Sequence, residues 1–172
     1  TGAKRLIGRS YRTAPKWSVN GKWAVMYDPI AQVWNKFDGA TGKVVNISDA
    51  IGYPMFMESY DKPAPAPAYG IAGWTADGNN VFLYDAYDWW KIDLTGERQP
   101  ECLTKGYGRK HGKSIRKMTS NIDKDVFQKD EKVIVSLWDK DTMDEGVYQL
   151  DMKGRLRKLM EGNYVYTIHR FS

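Results

Sequence analysis

A twelve-residue pattern occurs twice in this chain without a gap. Residues 17–28 read WSVNGKWAVMYD, and residues 74–85, which begin 57 positions later, read WTADGNNVFLYD. A tryptophan, a small residue, Asn-Gly or Asp-Gly, an apolar run and Tyr-Asp stand at the same places in both copies. Repeats of this kind are typical of solenoids, propellers and other arrays, and they constrain the whole fold. The chain is therefore predicted to consist of repeated structural units.

The repeat continues beyond those twelve residues. Each copy is followed by an apolar-Asp pair, a Thr-Gly turn and an apolar-hydroxyl pair: Phe37-Asp38, Thr41-Gly42 and Ile47-Ser48, then Ile92-Asp93, Thr95-Gly96 and Leu103-Thr104. A weaker third copy runs from residue 133 to residue 159. Residues 6–8 and 164–171 resemble parts of further copies. Three full repeats with partial flanking strands are therefore expected.

The short runs within each repeat predict strands. They are rich in Val, Ile, Tyr, Phe and Trp and are bounded by turn residues, which favours strands over helices. Asn20-Gly21 and Asp77-Gly78 predict tight hairpins of type I′, which have positive φ at both central residues. Four antiparallel strands per repeat are the blade of a β-propeller.

The predicted fold class is all-β, a β-propeller fragment of about three four-stranded antiparallel blades that form an incomplete ring. The chain is one segment, 1–172, with blades at roughly 11–52, 69–108 and 114–160. A closed propeller needs at least four blades, or ~220 residues at this repeat length. Three blades leave two open flanks, so we expect either a longer parent polypeptide or a homo-oligomer. The alternative is that residues 11–16 and 164–171 fold back and cap the ends.

The second repeat also carries a family resemblance. Residues 69–97, YGIAGWTADGNNVFLYDAYDWWKIDLTGE, followed by LTKGYGRK at 103–110, resemble the N-terminal propeller of bacterial serine peptidases of the prolyl-oligopeptidase family. That group includes dipeptidyl-peptidase IV-like and acylaminoacyl-peptidase-like enzymes. The Pro-rich residues 62–68 and the sequence GVYQLDMKG at 146–154 are similar too. The resemblance implies a propeller that precedes an α/β-hydrolase domain and limits its access to short peptides.

The nucleophile of an α/β-hydrolase lies in a G-x-S-x-G turn, and this chain has none. The nearest strings, at residues 8–12 and 112–116, lack the second glycine. No catalytic residue is assigned here. The resemblance therefore implies a non-catalytic propeller that gates and scaffolds a hydrolase domain, in a parent that is a serine peptidase. The alternative is a free-standing propeller that binds a protein or a glycan.

Binding groups are expected in the irregular connections at one face of the propeller, because variable loops on a rigid scaffold commonly carry function. The tight turns after the first and third strands of each blade share the opposite face. The candidate substrate-facing residues are Asp85, Tyr87, Asp88, Tyr107, Arg109 and Lys110. Salt bridges between blades are the alternative role for the charged members. The neighbouring aromatic residues are predicted to pack in the core: Trp74, Tyr84, Trp89 and Trp90.

Other chemistries are less favoured by the sequence. The net charge is +5, and the basic residues between 105 and 117 could hold phosphates, but a solvated loop is preferred and no nucleic acid is expected. His111 and His169 lack the spacing of a zinc site, and residues 139–146 depart from a calcium loop, so neither metal nor cofactor is expected. The single cysteine, Cys102, is predicted to pack. No apolar run approaches the ~20 residues of a membrane span, and the compartment, periplasm or cytoplasm, is left open.

Overall fold

Apolar and aromatic runs form three sheets in the computed structural model, which describes residues 14–118 and 125–162. Sheet I has the spatial order β1 (Lys16–Trp17), β2 (Trp23–Asp28), β3 (Val33–Asp38) and β4 (Val44–Asn46). Sheet II contains β5 (Ile71–Thr75), β6 (Asn80–Tyr84), β7 (Trp89–Asp93) and β8 (Glu101–Cys102). A single helical turn, α1 (Tyr107–Lys110), leads to β9 (Lys113–Lys117). Sheet III combines β9 with β11 (Lys132–Asp139), β12 (Glu145–Asp151) and β13 (Leu156–Gly162).

The predicted all-β class is confirmed. Within the described ranges α1 is the only helix, and at four residues it is far too short to cross a membrane. The strands predicted for the first two repeats are present to within a residue or two at their ends. The partial strands expected at residues 6–8 and 164–171, and the first residues of the first blade, lie outside the described part of the chain.

The prediction of four antiparallel strands is wrong for sheet II, which is mixed and has five. The additional strand, β10 (Val126–Phe127), pairs in parallel with β5. Gly73 allows this approach, because a Cβ there would lie 2.5 Å from the Phe127 ring and 2.7 Å from the Asp125 carbonyl oxygen. The Trp74 N–H donates to that same carbonyl at 2.7 Å. A segment next to sheet III in sequence therefore completes sheet II.

The type I′ turns are also a wrong prediction, although both hairpins are tight. Gly21 and Gly78 have φ of 68°, but Asn20 and Asp77 do not have positive φ. The Gly78 N–H donates to the Thr75 carbonyl at 2.8 Å, so the glycine closes the turn in the left-handed region. The Asp77 carboxylate accepts the Asn79 N–H at 2.9 Å, which stabilises this conformation. Asp77 and Asn20 thus stabilise these turns through their side-chain oxygens, which accept the backbone N–H groups two residues further on.

The aspartates of the repeat have a common structural role. An aspartate stands at the end of each second strand or directly after it, and its Oδ1 accepts the N–H groups two and three residues further on: Asp28, Asp85 and Asp139. The aspartates that end the third strands close the next turns in a related way: Asp38, Asp93 and Asp151. The donated backbone hydrogen bonds lower the pKa of Asp38 and of Asp139. The repeated Asp is therefore explained by backbone geometry.

Sheet II is buried on both faces. Along β6, Val81 and Leu83 belong to a core shared with sheet I, whereas Phe82 and Tyr84 belong to a core shared with sheet III. All four side chains are at most 8% exposed. A strand's side chains alternate between faces, so a continuous apolar run is what burial on both sides requires. The three sheets pack face to face in chain order, with sheet II in the middle.

The outer face of sheet I differs from the equivalent face of sheet II. Trp74 packs in the core between sheets I and II and is 6% exposed. Its repeat equivalent Trp17 is 54% exposed and makes an edge contact with Phe37 at a centroid distance of 6.3 Å. The same residue type at the same repeat position is thus buried in sheet II, which sheet I precedes, and exposed in sheet I, which no sheet of the described residues precedes.

We expect Trp74→Ala to lower the free energy of unfolding by about 3–5 kcal/mol, the usual cost of emptying a buried aromatic site. The matched change Trp17→Ala should cost about 1 kcal/mol or less, because an exposed residue loses little burial. Urea unfolding followed by circular dichroism measures both. Equal losses would contradict the packing order of the sheets.

Candidate functional site

A short connection between β6 and β7 places two carboxylates inside the protein. Asp85 and Asp88 are 0% and 1% exposed, and buried charges need partners. Oδ1 of Asp85 accepts the N–H groups of Tyr87 at 2.7 Å and Asp88 at 2.6 Å. Its Oδ2 accepts Trp90 Nε1 at 3.1 Å and Arg109 Nη2 at 3.0 Å. Four donors therefore satisfy this carboxylate.

Asp88 fixes the position of α1. Its Oδ1 accepts the Thr104 hydroxyl at 2.6 Å and the Gly108 N–H at 2.9 Å, and its Oδ2 accepts the Arg109 N–H at 3.0 Å. The buried Thr104 hydroxyl in turn accepts the Trp89 N–H at 3.2 Å. A Cβ on Gly108 would lie 2.6 Å from the Tyr87 carbonyl oxygen. Only glycine therefore lets the helical turn lie this close to the β6–β7 connection.

The Arg109 guanidinium lies close to two aromatic rings. Its guanidinium carbon lies 3.8 Å from the centroid of Tyr53 and 5.0 Å from that of Tyr87. Burial opposes the charge of Arg109, but the hydrogen bond and the charge of Asp85 outweigh it, so the pKa of the guanidinium is raised. Its Nε is buried and has no hydrogen-bond partner. One face of this cation is stacked, and part of its donor capacity is unused.

These groups border a cavity of about 370 Å³. Its lining combines charged, aromatic and small residues: Tyr53, Asp85, Asp88, Trp90, Cys102, Gly106, Arg109 and Lys110. Cys102 accepts the Gly106 N–H at a distance of 3.2 Å, and burial raises the pKa of its thiol. We call this cavity the Arg109 cavity.

The structure brings most of the predicted site residues together. Asp85, Asp88, Arg109 and Lys110 line the Arg109 cavity, and the Tyr87 ring lies beside the Arg109 guanidinium. Tyr107 does not line it. Its ring stacks on His111 at 4.3 Å and packs against the core between sheets II and III. Asp85 and Arg109 form a salt bridge that joins the β6–β7 connection to α1; the salt bridge between blades named as the alternative role and contact with a substrate both stay predictions.

Sequence reasoning missed two residues that line the cavity, Tyr53 and Trp90, and one that supports Asp88, Thr104. Tyr53 comes from the connection between sheets I and II, which has no counterpart in the repeat. Trp90, predicted to pack, is half-buried and donates to Asp85. The role of Thr104 could have been predicted from the repeat, because a second hydroxyl residue, Ser48, stands 56 residues earlier. The Ser48 hydroxyl accepts the Trp34 N–H at 2.9 Å. A hydroxyl repeated at that spacing predicts this hydrogen bond.

The basic segment is folded, and the solvated loop preferred for it is wrong. It forms α1 and β9, and three of its cations make ion pairs: Arg109 with Asp85, Lys113 with Glu161, and Lys117 with Asp125. Arg116 is half-buried and donates to the carbonyls of Asp85, Ala86 and Ile115, and its partial burial lowers the pKa of its guanidinium. Lys105 and Lys110 make no ion pair within the described ranges. Little of the charge is thus available to phosphates.

Residues 139–146 form the β11–β12 hairpin, as preferred from the sequence. Asp139 Oδ1 accepts the N–H groups of Asp141 and Thr142 at 2.9 and 3.2 Å. In the part of the chain that the structure describes, no group of three or more His, Cys, Asp or Glu residues could hold a metal ion. His169 lies outside that part.

A second, larger cavity of about 570 Å³ lies between sheets I and II. Its walls are mainly aromatic, aliphatic and proline side chains, among them Tyr27, Trp34, Tyr60, Pro65, Pro67 and Trp74. Trp34 is 6% exposed, and its Nε1 has no hydrogen-bond partner. The Tyr27 hydroxyl donates to the Ala66 carbonyl at 3.1 Å, which ties the proline-rich connection to sheet I.

We expect Asp85→Asn to lower the free energy of unfolding by about 3 kcal/mol, because removal of one partner from a buried ion pair leaves the other uncompensated. Asp28→Asn is the matched control. Asp28 closes the equivalent turn at the end of β2, where its carboxylate accepts two backbone N–H groups. The amide oxygen of asparagine can still accept both of these hydrogen bonds. Urea unfolding of both variants tests this, and a similar loss in the two would contradict a special role for Asp85.

We expect an acid-dependent contribution from Glu161, which accepts Lys113 Nζ at 2.8 Å and Lys158 Nζ at 2.9 Å. These hydrogen bonds lower the pKa of Glu161 from 4.5 to about 2. A depressed folded-state pKa stabilises the fold above the unfolded pKa, and that stabilisation disappears as the pH falls towards the folded value. The Glu161 side chain is 33% exposed and is therefore screened by solvent, so the contribution is about 1 kcal/mol or less.

The measurement is the difference in the free energy of unfolding between the parent chain and Glu161→Gln from pH 7 to pH 2. It should be constant above pH 5 and should vanish near pH 2. Glu97→Gln, whose carboxylate makes no ion pair with the described residues, should give a smaller difference throughout. A difference that grows on acidification would be inconsistent with the ion pairs.

No protein-family model matches this chain, and no curated protein matches it either. The evidence for a function is therefore the repeat, the packing of the sheets and the Arg109 cavity.

Proposed function

We propose that this chain is a non-catalytic β-propeller segment of a serine peptidase of the prolyl-oligopeptidase family. In that role it gates and scaffolds the access of peptides to an α/β-hydrolase domain elsewhere in the parent protein. The observation that carries the proposal is the burial of sheet II on both faces by the sheets before and after it. Propeller blades are four-stranded sheets repeated around an axis, and sheet II has the environment of an inner blade. The family assignment rests on the resemblance of residues 69–97 and 103–110.

The outer face of sheet I supports a larger ring. Trp17 is exposed where its equivalent Trp74 is covered by a preceding sheet. A blade placed before sheet I would bury Trp17 in the same way, with a gain of roughly 25 cal/mol per Å² of apolar surface removed from water. We take the natural occupant of this face to be a neighbouring blade of the parent. In the isolated chain a second copy takes its place, which gives a homo-oligomer.

The gating role is assigned to the connections at the Arg109 cavity. Asp85 and Asp88 hold the β6–β7 connection and α1 in place, and Arg109, Lys110, Tyr53 and Tyr87 carry the groups that a peptide would meet. Rigid loops with a few polar groups and aromatic walls are the usual form of a ligand site. This end of the sheets is therefore the face that we assign to the hydrolase domain and its substrates.

A free-standing module that binds a protein or a glycan is the second candidate. It is favoured by the cavity between sheets I and II, where Trp34, Tyr60 and Trp74 supply aromatic walls. A buried indole N–H without a partner is a donor that a carbonyl or hydroxyl oxygen would satisfy.

Labelling with a fluorophosphonate probe tests the peptidase proposal. The 172-residue chain should not be labelled, because it carries no G-x-S-x-G sequence. A longer polypeptide from the same gene, extended in the C-terminal direction, should contain that sequence followed by Asp and His, and it should be labelled once. Stoichiometric labelling of the short chain would contradict the non-catalytic assignment. A stop codon directly after Ser172 would favour the free-standing module.

A further inference from the structure

We propose that a groove between sheets II and III binds a small organic molecule that carries two or more negative charges. A phosphate monoester and a polycarboxylate both have this chemistry, and the experiment below separates these two sources. The groove lies at the end of the sheets opposite the Arg109 cavity, because Asn80 at the start of β6 lines it, whereas Asp85 follows the end of β6. This binding site does not depend on the peptidase assignment.

The groove lies where two neighbouring turns do not touch. Between sheets I and II, Asn20 Nδ2 donates to the Asp77 carbonyl at 2.8 Å, so the corresponding turns are in contact. The repeat equivalent of Asn20 in the second unit is Asp77, whose carboxylate has no N–H to donate. It accepts the Thr75 hydroxyl and the Asn79 N–H of its own turn instead. A volume of about 520 Å³ lies between this turn and the segment that follows β10.

The floor of the groove is apolar. Phe82 of β6 and Phe127 of β10 are 1% and 3% exposed, and their ring centroids are 5.8 Å apart. Met152 is half-buried against the same core. Small-molecule sites are commonly clefts of about 300–1,000 Å³ with mainly apolar walls and a few polar groups. Apolar walls of low dielectric also strengthen the field of the charges around a cleft.

Cations predominate among the residues that line the groove. There are four, against the one carboxylate of Asp77: Lys91, Arg98, Lys129 and Lys153. Lys91 stands directly opposite Phe82 in the β6–β7 register, so its side chain lies on the face of sheet II that meets sheet III. The pKa of Asp77 is lowered, first by the hydrogen bond from the Thr75 hydroxyl and also by the charge of Lys91. The charge of Lys91 therefore acts within the groove.

The positive charge of the groove is not neutralised nearby. Within residues 14–118 and 125–162, none of the four cations forms an ion pair. Two carboxylates stand beside the groove without lining it. Glu101 is opposite Lys91 on β8, and Asp93 accepts the N–H groups of its own turn. Even with both counted, four cations outnumber three carboxylates, so the groove attracts anions.

The exposure of the cations selects a ligand with several negative charges. Arg98, Lys129 and Lys153 are exposed, and a single ion pair at an exposed site contributes little. A multiply charged group forms several such pairs at once, and lysine ammonium groups act towards it as point charges. An apolar body on the same molecule would pack on the floor of the groove. The groove therefore fits an organic polyanion better than a simple monoanion.

The test is a calorimetric titration of the 172-residue chain with four probes at neutral pH and low ionic strength. Phenyl phosphate joins a dianion to an aromatic ring, inorganic phosphate lacks the ring, and phenol lacks the charge. Benzene-1,3,5-tricarboxylate carries carboxylates on the same ring. We expect phenyl phosphate or the tricarboxylate to bind tenfold or more tightly than phenol and threefold or more tightly than inorganic phosphate. The tighter of these two anions shows whether the groove prefers phosphate esters or polycarboxylates.

Variants assign the binding to this groove. Lys129→Gln and Lys153→Gln should each weaken binding of the tighter anion about threefold, the size of one exposed ion pair. Circular dichroism should be unaltered, because neither side chain has an ion pair or hydrogen bond with a described residue to lose. Lys43→Gln is the matched control. It changes the net charge equally at an exposed position directly before β4, and it should leave the affinity unchanged.

Anion binding no tighter than that of phenol would overturn the inference. Equal affinity for inorganic phosphate and for both ring-bearing anions would also contradict it, because the apolar floor would then contribute nothing. Equal weakening by Lys43→Gln and Lys153→Gln would show a response to net charge alone. Binding that neither Lys129→Gln nor Lys153→Gln weakens would place the anion elsewhere on the chain. Each of these last two results would exclude the groove as the site.

Discussion

The burial of two carboxylates in one four-residue connection is the constraint on which this end of the molecule depends. A carboxylate without donors inside a protein costs several kcal/mol, and the β6–β7 connection alone cannot supply enough of them. Asp88 takes three donors from the segment after β8, and Asp85 takes a guanidinium from α1. The path of residues 103–110 is therefore set by acceptors that lie some twenty residues earlier.

Much of the fold could be predicted because the repeated residues each have a definite structural role. Apolar runs without a polar face predict strands buried on both sides, and β6 has that environment. The aspartates that end β2 and β11 and the one that directly follows β6 mark turns because their carboxylates accept the next backbone N–H groups. Of the predicted site residues, Asp85, Asp88 and Arg109 meet because loops at one end of neighbouring strands must share space.

The remainder could not be predicted because it depends on contacts that the repeat does not contain. Tyr53 reaches Arg109 from a connection without a counterpart in the second unit. The parallel strand β10 depends on the missing side chain of Gly73, and a glycine within a strand does not tell which segment will approach it. The turn at Asp77-Gly78 has the composition of one hairpin type and the geometry of another, because side-chain oxygens compete with the backbone for the same N–H groups.

The parallel strand β10 also has a consequence for how the units unfold. It belongs to sheet II by hydrogen bonding and leads directly into β11 of sheet III through a four-residue turn. In an array whose neighbours touch only through side chains, stability is a sum of unit and interface contributions, and units can open one at a time. Here sheet III cannot detach without either breaking backbone hydrogen bonds in sheet II or pulling the turn apart. Sheets II and III are therefore expected to unfold as one cooperative unit. Sheet I is expected to separate first, at its interface with sheet II.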